Sequence, residues 1–315
     1  MLGRFFNSFY YGKAGKGDYT PENLPKNRVE LFFEVFRVRW GGLVRLNLLY
    51  VLFLLPAVLW TFVNYALLGD LMEQQLASDQ MLGLVGMWLL ILWPCIAITG
   101  PATAGVSYIA RNWARDQHSF FWGDFKDAFK ENWKQALVVS TISGFLPLLA
   151  FVCYRFYGGL AETSSMLYIV PQMLVVILTV LWFLSQQAIY TLMVTYTLKL
   201  GDLLRNSLIL SVGKLPLSIG IRLLTFVIPG IGLLIMLAIP ETIGYVMLVL
   251  VLYYLVFGFG FNKLLYASYA NSLCENYINP RIDGAGVGIG LRQLTDEDYE
   301  IDPTMPQPKQ PDSGE

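Results

Sequence analysis

Arg222 is the residue whose setting most clearly suggests chemistry, because it lies inside an otherwise apolar run at residues 215–240. A charge at membrane depth is costly, so it is by default a candidate for binding an anionic group. Arg222 is also only seven residues from the start of the run, and from there a long basic side chain can reach the lipid headgroups. The sequence leaves both interpretations open.

A polar step of Ser185, Gln186 and Gln187 interrupts another apolar run, at residues 167–196. Such side chains suit hydrogen bonds between membrane helices, or contact with a polar solute. Together with Arg222 they form the candidate solute site or polar bundle site of this sequence.

Catalytic and metal-binding patterns are weak in this sequence. General acid–base catalysis needs a positioned His, Asp or Glu, and the six apolar runs of the chain contain none. His118 is the only histidine, and the three cysteines lie far apart, so we expect neither a metal site nor a cofactor. The sequence therefore favours a non-enzymatic protein without catalytic residues.

Six separated apolar runs determine where these side chains lie. Hydrophobic residues make up 55% of the chain and charged residues 14%, against about 25% charged residues in a soluble domain. Each run is long enough to cross a hydrocarbon core about 30 Å thick. The sequence predicts an all-α, polytopic membrane helix bundle with six transmembrane helices, at residues 46–68, 81–99, 136–156, 167–196, 215–240 and 243–261.

Lysine and arginine alternate between the two sides of this bundle. Eight precede the first run, five lie between the second and third, three between the fourth and fifth, and four follow the sixth. The alternate loops and the adjoining ends of the runs contain a single lysine or arginine, Arg155. Because basic residues are retained on the cytoplasmic side, we expect a multi-pass protein of the cell membrane with both termini in the cytoplasm.

A stripe of large apolar residues at positions i, i+4 and i+8 precedes each odd-numbered run. Such a stripe allows a helix to lie along the inner membrane surface. The pattern predicts cytoplasmic interfacial helices, one near residues 119–135, and a possible threefold repeat, although many membrane helices begin with similar residues. Leu200, Leu204 and Leu208 form the third stripe. The aromatic stripes, a candidate interfacial or partner surface, are Phe32, Phe36, Trp40, Phe125, Phe129 and Trp133.

Four prolines lie within the predicted spans. Proline removes a backbone hydrogen bond and kinks a helix, so we predict helix breaks at Pro56, Pro94, Pro147 and Pro229. Broken helices are typical of transporters, but they also occur in membrane helices generally because neighbouring groups satisfy the freed carbonyls.

The runs divide the chain into three regions. Residues 1–45 are predicted to form a cytoplasmic, basic and aromatic N-terminal segment with an interfacial helix, and residues 46–262 the transmembrane domain. Residues 263–315 are predicted to form a cytoplasmic C-terminal segment. Its tail from Glu275 to Glu315 is rich in acids and prolines, so we expect it to be largely disordered.

Several short motifs lie within roughly the first 140 residues. They are Phe5-Phe6-Asn7, Tyr10-Tyr11-Gly12-Lys13-Ala14-Gly15-Lys16-Gly17, Arg45-Leu46-Asn47-Leu48, Thr99-Gly100-Pro101-Ala102-Thr103-Ala104-Gly105, Tyr108, Asp124-Phe125-Lys126 and Trp133-Lys134. Over this stretch the chain most strongly resembles the YesL family of bacterial integral membrane proteins. The family has no assigned function and no active-site residues to carry over, but its usual association with sugar uptake implies a link to that process.

Two functions remain in view. The first is an accessory or regulatory membrane protein, which the resemblance links to carbohydrate uptake and to a sugar ABC-transporter or sensor component as partner. The second is a secondary transporter or channel for a small polar or anionic solute. Membrane lipids are partners in either case, and no nucleic acid partner is expected.

Overall fold

The computed structural model describes the backbone of residues 24–73 and 78–292, and their side chains except those of residues 68–79. The first 23 residues and residues 293–315, most of the predicted tail, lie outside the described residues. Regular structure in the described part is entirely helical. The main helices are α1 Arg28–Val38, α2 Trp40–Glu73, α3 Ser78–Ala97, α4 Gly100–Trp113, α5 Phe121–Thr163, α6 Ile169–Met193, α7 Leu200–Gly213, α8 Leu215–Ala238, α9 Ile243–Tyr253 and α10 Phe259–Tyr277.

The predicted all-α bundle with six long apolar helices is confirmed. Six helical segments are long and apolar enough to cross a membrane. These segments are Trp40–Leu67, Gln80–Ala97, Phe121–Thr163, Met166–Met193, Leu215–Ala238 and Pro240–Arg281.

The four prolines do not break the helices that contain them. Pro56, Pro94, Pro147 and Pro229 all lie inside continuous α-helices, because one proline removes one backbone hydrogen bond while the flanking turns keep theirs. The departure from α geometry occurs instead in the sixth span, where Tyr254–Gly258 form a π-helical turn between α9 and α10. That span contains no proline between its first turn and this π turn.

Several helices extend well beyond the thickness of a bilayer. Helix α5 has 43 residues, which is about 64 Å at 1.5 Å per residue. Residues 121–135 are therefore the first turns of the third span, and the separate interfacial helix predicted near residues 119–135 is absent. Before the first and fifth spans, by contrast, α1 and α7 are separate helices, ended by Arg39 and Lys214.

The helices are arranged around three return segments. Helix α4 follows the second span, α6 contains the end of the fourth span, and α10 contains the end of the sixth. These three helices all contact one another. Helix α2 packs between α10 and α4, α5 packs between α4 and α6, and α8 packs between α6 and α10. This cyclic order is the one expected for a threefold repeat. The repeat itself stays a prediction.

One end of the bundle, which we call the basic end, contains α1, α4, the start of α5, α7 and residues 259–292. Arg28 forms a salt bridge with Glu275 and also donates to the carbonyl of Ala114. Arg115 donates to Asn271 Oδ1 at 3.2 Å, and both side chains are buried. These bonds join α1, α4 and α10 across long distances in sequence.

The C-terminal region enters this basic end and is folded as far as residue 292. Leu264, Ala270 and Cys274 of α10 are fully buried, so α10 belongs to the core of the bundle from Leu264 to Glu275. Further along, the amide of Arg292 donates to the carbonyl of Pro25. The predicted disorder from residue 275 therefore does not apply to residues 275–292.

Candidate functional site

Arg222 points into the bundle. Its Nη1 donates to the hydroxyl of Tyr266 at 2.8 Å, and its Nη2 donates to the backbone carbonyl of Phe183. The guanidinium carbon also lies 5.1 Å from the ring centroid of Tyr266. Arg222 therefore contacts α6 and α10, about 10 Å from the start of α8 at helical rise. Anion binding and contact with the lipid headgroups both stay predictions.

A second basic residue, Lys263, lies in α10 one turn before Tyr266, the residue that Arg222 contacts. Its Nζ is 5.1 Å from the ring centroid of Tyr50 in α2 and 5.3 Å from that of Tyr190 in α6. Aromatic faces attract cations at this range. Two positive side chains are thus held between helices from all three pairs of spans.

Several buried polar atoms on the helices around these two basic residues have no hydrogen-bond partner. Arg222 Nε and Gln186 Nε2 are buried without a partner, and no described acid forms a salt bridge with Arg222 or Lys263. Buried polar groups in folded proteins are usually paired. The carbonyl oxygens of Gln187 and Asn262 are also unpaired, so an anion carrying a hydroxyl group or a proton would satisfy both kinds of group.

Of the other two residues in the polar step, Gln187 connects helices and Ser185 does not. Gln187 Nε2 donates to the carbonyl of Ser218 at 2.9 Å, and Ser218 Oγ shares a hydrogen bond with Tyr269. Ser185 Oγ bonds to the carbonyl of Trp182 within its own helix. Of the three residues in the polar step, Gln186 alone keeps a buried donor without a partner.

Asn47 holds the π turn of the sixth span. Its side-chain amide donates to the carbonyls of Tyr254 and Leu255 at 2.9 and 2.6 Å, and its oxygen accepts from Gly260 N at 2.9 Å. The side chain is fully buried. A Cβ at Gly260 would come within 2.8 Å of the carbonyl of Leu43, so glycine is what lets α2 and α10 approach. π-Helical turns frequently occur at functional sites.

The two aromatic stripes pack largely inside the protein. Phe125 is only 5% exposed, whereas Trp133 is 45% exposed, so Phe125 is not available to a partner. Both Phe125 and Phe129 contact Phe53 of α2. In the first stripe Phe32 and Phe36 are half-buried against Phe261, and Trp40 stacks on Phe257 while remaining 48% exposed.

Sequence reasoning missed several members of this site. Lys263 was counted among the basic residues after the sixth span, and Tyr50 and Tyr190 have no distinctive spacing. Their approach depends on how α2, α6 and α10 pack, which no short motif encodes. Asn47 was noticed only as part of a family motif, although a polar residue at the start of a span is itself a usable signal.

Comparison with known proteins is consistent with these observations and assigns no activity. No curated protein and no solved structure gives a significant match to the chain. Residues 43–154, which extend from early α2 into α5, match a family model described as "Protein of unknown function, DUF624", so over this stretch the chain is similar to that family.

Proposed function

We propose that this protein binds a small anionic solute between its helices and moves it across the membrane as a transporter or channel. The observation that carries the proposal is the pair of cations, Arg222 and Lys263, placed among aromatic rings without a described acid paired to either. In this proposal the basic end faces the cytoplasm of the cell, as the distribution of lysine and arginine predicts.

The energetic argument concerns two like charges inside an apolar bundle. Each cation loses solvation there, and the two repel each other. Cation–π contacts with Tyr50, Tyr190 and Tyr266 offset part of this cost. A bound anion would offset more, because it attracts both charges and accepts from the unpaired donors of Arg222 and Gln186.

The experiment is solute flux into proteoliposomes, with phosphate, sulfate and small carboxylates as probes. We expect one of these anions to be taken up, and Arg222→Gln or Lys263→Gln to reduce uptake at least about tenfold, the effect of losing one charge-assisted hydrogen bond. Lys199→Gln, an exposed change at the basic end, is the matched control. Equal uptake by all variants, or uptake equal to empty liposomes for folded wild-type protein, would overturn the proposal.

The accessory function in carbohydrate uptake, implied by the YesL resemblance, is our second proposal. Exposed aromatic side chains at the basic end favour it: Trp40, Phe120, Trp122 and Trp133 are all between 45% and 73% exposed. Aromatic residues are enriched at protein interfaces. The proposed partner is a sugar ABC-transporter or sensor component.

Affinity purification in mild detergent tests this second proposal. To test the tail, the chain is shortened after Arg292. An earlier stop would disturb the fold, because Asn279 bonds to Tyr196 and to Gly286. Co-purification of a sugar-transport or sensor component that is lost in a Trp133→Ala variant would support it. Purification of the folded protein without such a component would count against it.

A further inference from the structure

A cavity of about 730 Å³ lies at the basic end, away from the Arg222 and Lys263 pair. It is formed by the segment after α6, one face of α7, the end of α10 and the residues that follow. Its volume is within the range of small-molecule sites. Lining residues that the argument uses are Ile209, Leu210, Lys214, Tyr277, Arg281 and Ile282.

Two cations line this cavity. Lys214 and Arg281 are exposed, and neither forms a salt bridge with an acid in residues 24–73 or 78–292. Lys214 Nζ lies 5.6 Å from the ring centroid of Tyr277. Interaction with the side chain of Tyr277 raises the pKa of Lys214.

Beside the cations, the cavity is lined by several aliphatic side chains and by the polar residues Thr197 and Asn206. Ile209 is exposed in α7 and Ile282 is exposed beyond α10. Directly after Lys214, helix α8 begins with Leu215 and Leu217, which are also exposed. A ligand in the cavity would therefore meet cations at one side and a continuous aliphatic surface at the other.

We propose that this cavity binds an anionic phospholipid, with its phosphate between Lys214 and Arg281 and one acyl chain along Ile209 and Leu215. Three features support this ligand class. The cations match a phosphate diester in charge, the position at the start of a span corresponds to the headgroup layer, and the aliphatic wall continues along α8 toward the hydrocarbon region.

Native mass spectrometry of the full-length protein in mild detergent, titrated with phosphatidylglycerol, measures this interaction. We expect the double variant Lys214→Gln/Arg281→Gln to bind phosphatidylglycerol about 30-fold more weakly than wild type, from two lost cation–phosphate contacts. Arg205→Gln, an exposed change on α7 outside the cavity, should bind as wild type does. Phosphatidylcholine, a zwitterionic lipid with no net charge, is the control for anionic charge and should bind weakly to all three proteins.

Two further arms make the result decisive. Glycerophosphoglycerol, which has the same phosphate diester without acyl chains, should bind at least about tenfold more weakly than phosphatidylglycerol, because it lacks the apolar contact. Equal binding of the two would assign the cavity to a soluble phosphate ester and overturn the lipid assignment. Equal phosphatidylglycerol binding by the double variant and wild type, both folded by size-exclusion chromatography, would overturn it as well.

Discussion

The basic end and the opposite end of this bundle are built on different principles. In α4, at the basic end, twelve of fourteen residues are buried, and buried polar side chains bond across helices. In α9, at the opposite end, no residue is buried, and α8 buries only Ser218, Thr225 and Gly232. The basic end resembles the core of a soluble protein, whereas the opposite end relies on lipid to cover its aliphatic side chains.

The comparison suggests where the fold is specified and where it is free to change. Long-range bonds from Arg28, Asn47 and Asn271 fix the basic end. The halves of the spans that lie toward the opposite end have fewer such bonds, and segments with few buried contacts open at the lowest free energy. The candidate anion site at Arg222 and Lys263 lies near the boundary between the two regions, where a movement of the opposite halves would change access to it.

The largest expected effect comes from breaking the ion pair at the basic end. Glu275→Gln leaves Arg28 without its carboxylate partner, and both side chains are at most 13% exposed. We expect the free energy of unfolding to fall by about 3–5 kcal/mol. Asp116→Asn is the control, because its pair with Arg39 is 3.6 Å long and half exposed and should matter by less than about 1 kcal/mol. Unfolding in mixed detergent micelles measures both, and equal losses would show that burial does not make the Arg28–Glu275 pair the stronger one.

A smaller effect is expected from the amide that holds the π turn. Asn47→Leu removes three hydrogen bonds between α2 and the sixth span and should lower the free energy of unfolding by about 2–3 kcal/mol. Asn64→Leu changes a buried amide near the other end of α2 whose bond stays within its own helix. The same unfolding assay should show a clearly smaller loss there. If Asn64→Leu is the more damaging change, the opposite end is as tightly specified as the basic end.

The smallest of the three effects tests close approach between helices. A Cβ at Gly100 would come within 2.3 Å of the carbonyl of Ala136, so Gly100→Ala should cost about 1–3 kcal/mol. Gly230→Ala in α8 meets no atom within 4 Å and should be neutral or slightly stabilising, because alanine favours a helix. Thermal unfolding followed by fluorescence size-exclusion chromatography separates the two variants. A stable Gly100→Ala protein would show that α4 and α5 can move apart at little cost.

The sequence was a good guide to the spans and a poor guide to their interiors. Apolar length and composition depend only on local residues, so all six spans could be placed from the chain alone. The prediction of helix breaks at the prolines also used only local residues. A proline removes one backbone hydrogen bond, but the turns around Pro56 and Pro147 remain helical. The π turn depends on Asn47, more than 200 residues away in sequence, and no local pattern reveals it.

The candidate site shows the same limit. Arg222 stood out because a charge inside an apolar run is rare, and the polar step beside it marked α6. Lys263 did not stand out, because it lies just beyond the last apolar run and reads as an ordinary cytoplasmic base. Only the packing of α10 against α2 and α6 places it beside Tyr50 and Tyr190.

The most direct test of the account is equilibrium binding of small anions to purified protein in detergent, measured by calorimetry with phosphate, sulfate and small carboxylates. We predict that one of them binds wild type and Lys199→Gln equally well. We further predict at least about tenfold weaker binding by Arg222→Gln and by Lys263→Gln. The same affinity for all four folded proteins, or no binding of any probe to wild type, would contradict the assignment of this pair of cations to an anion.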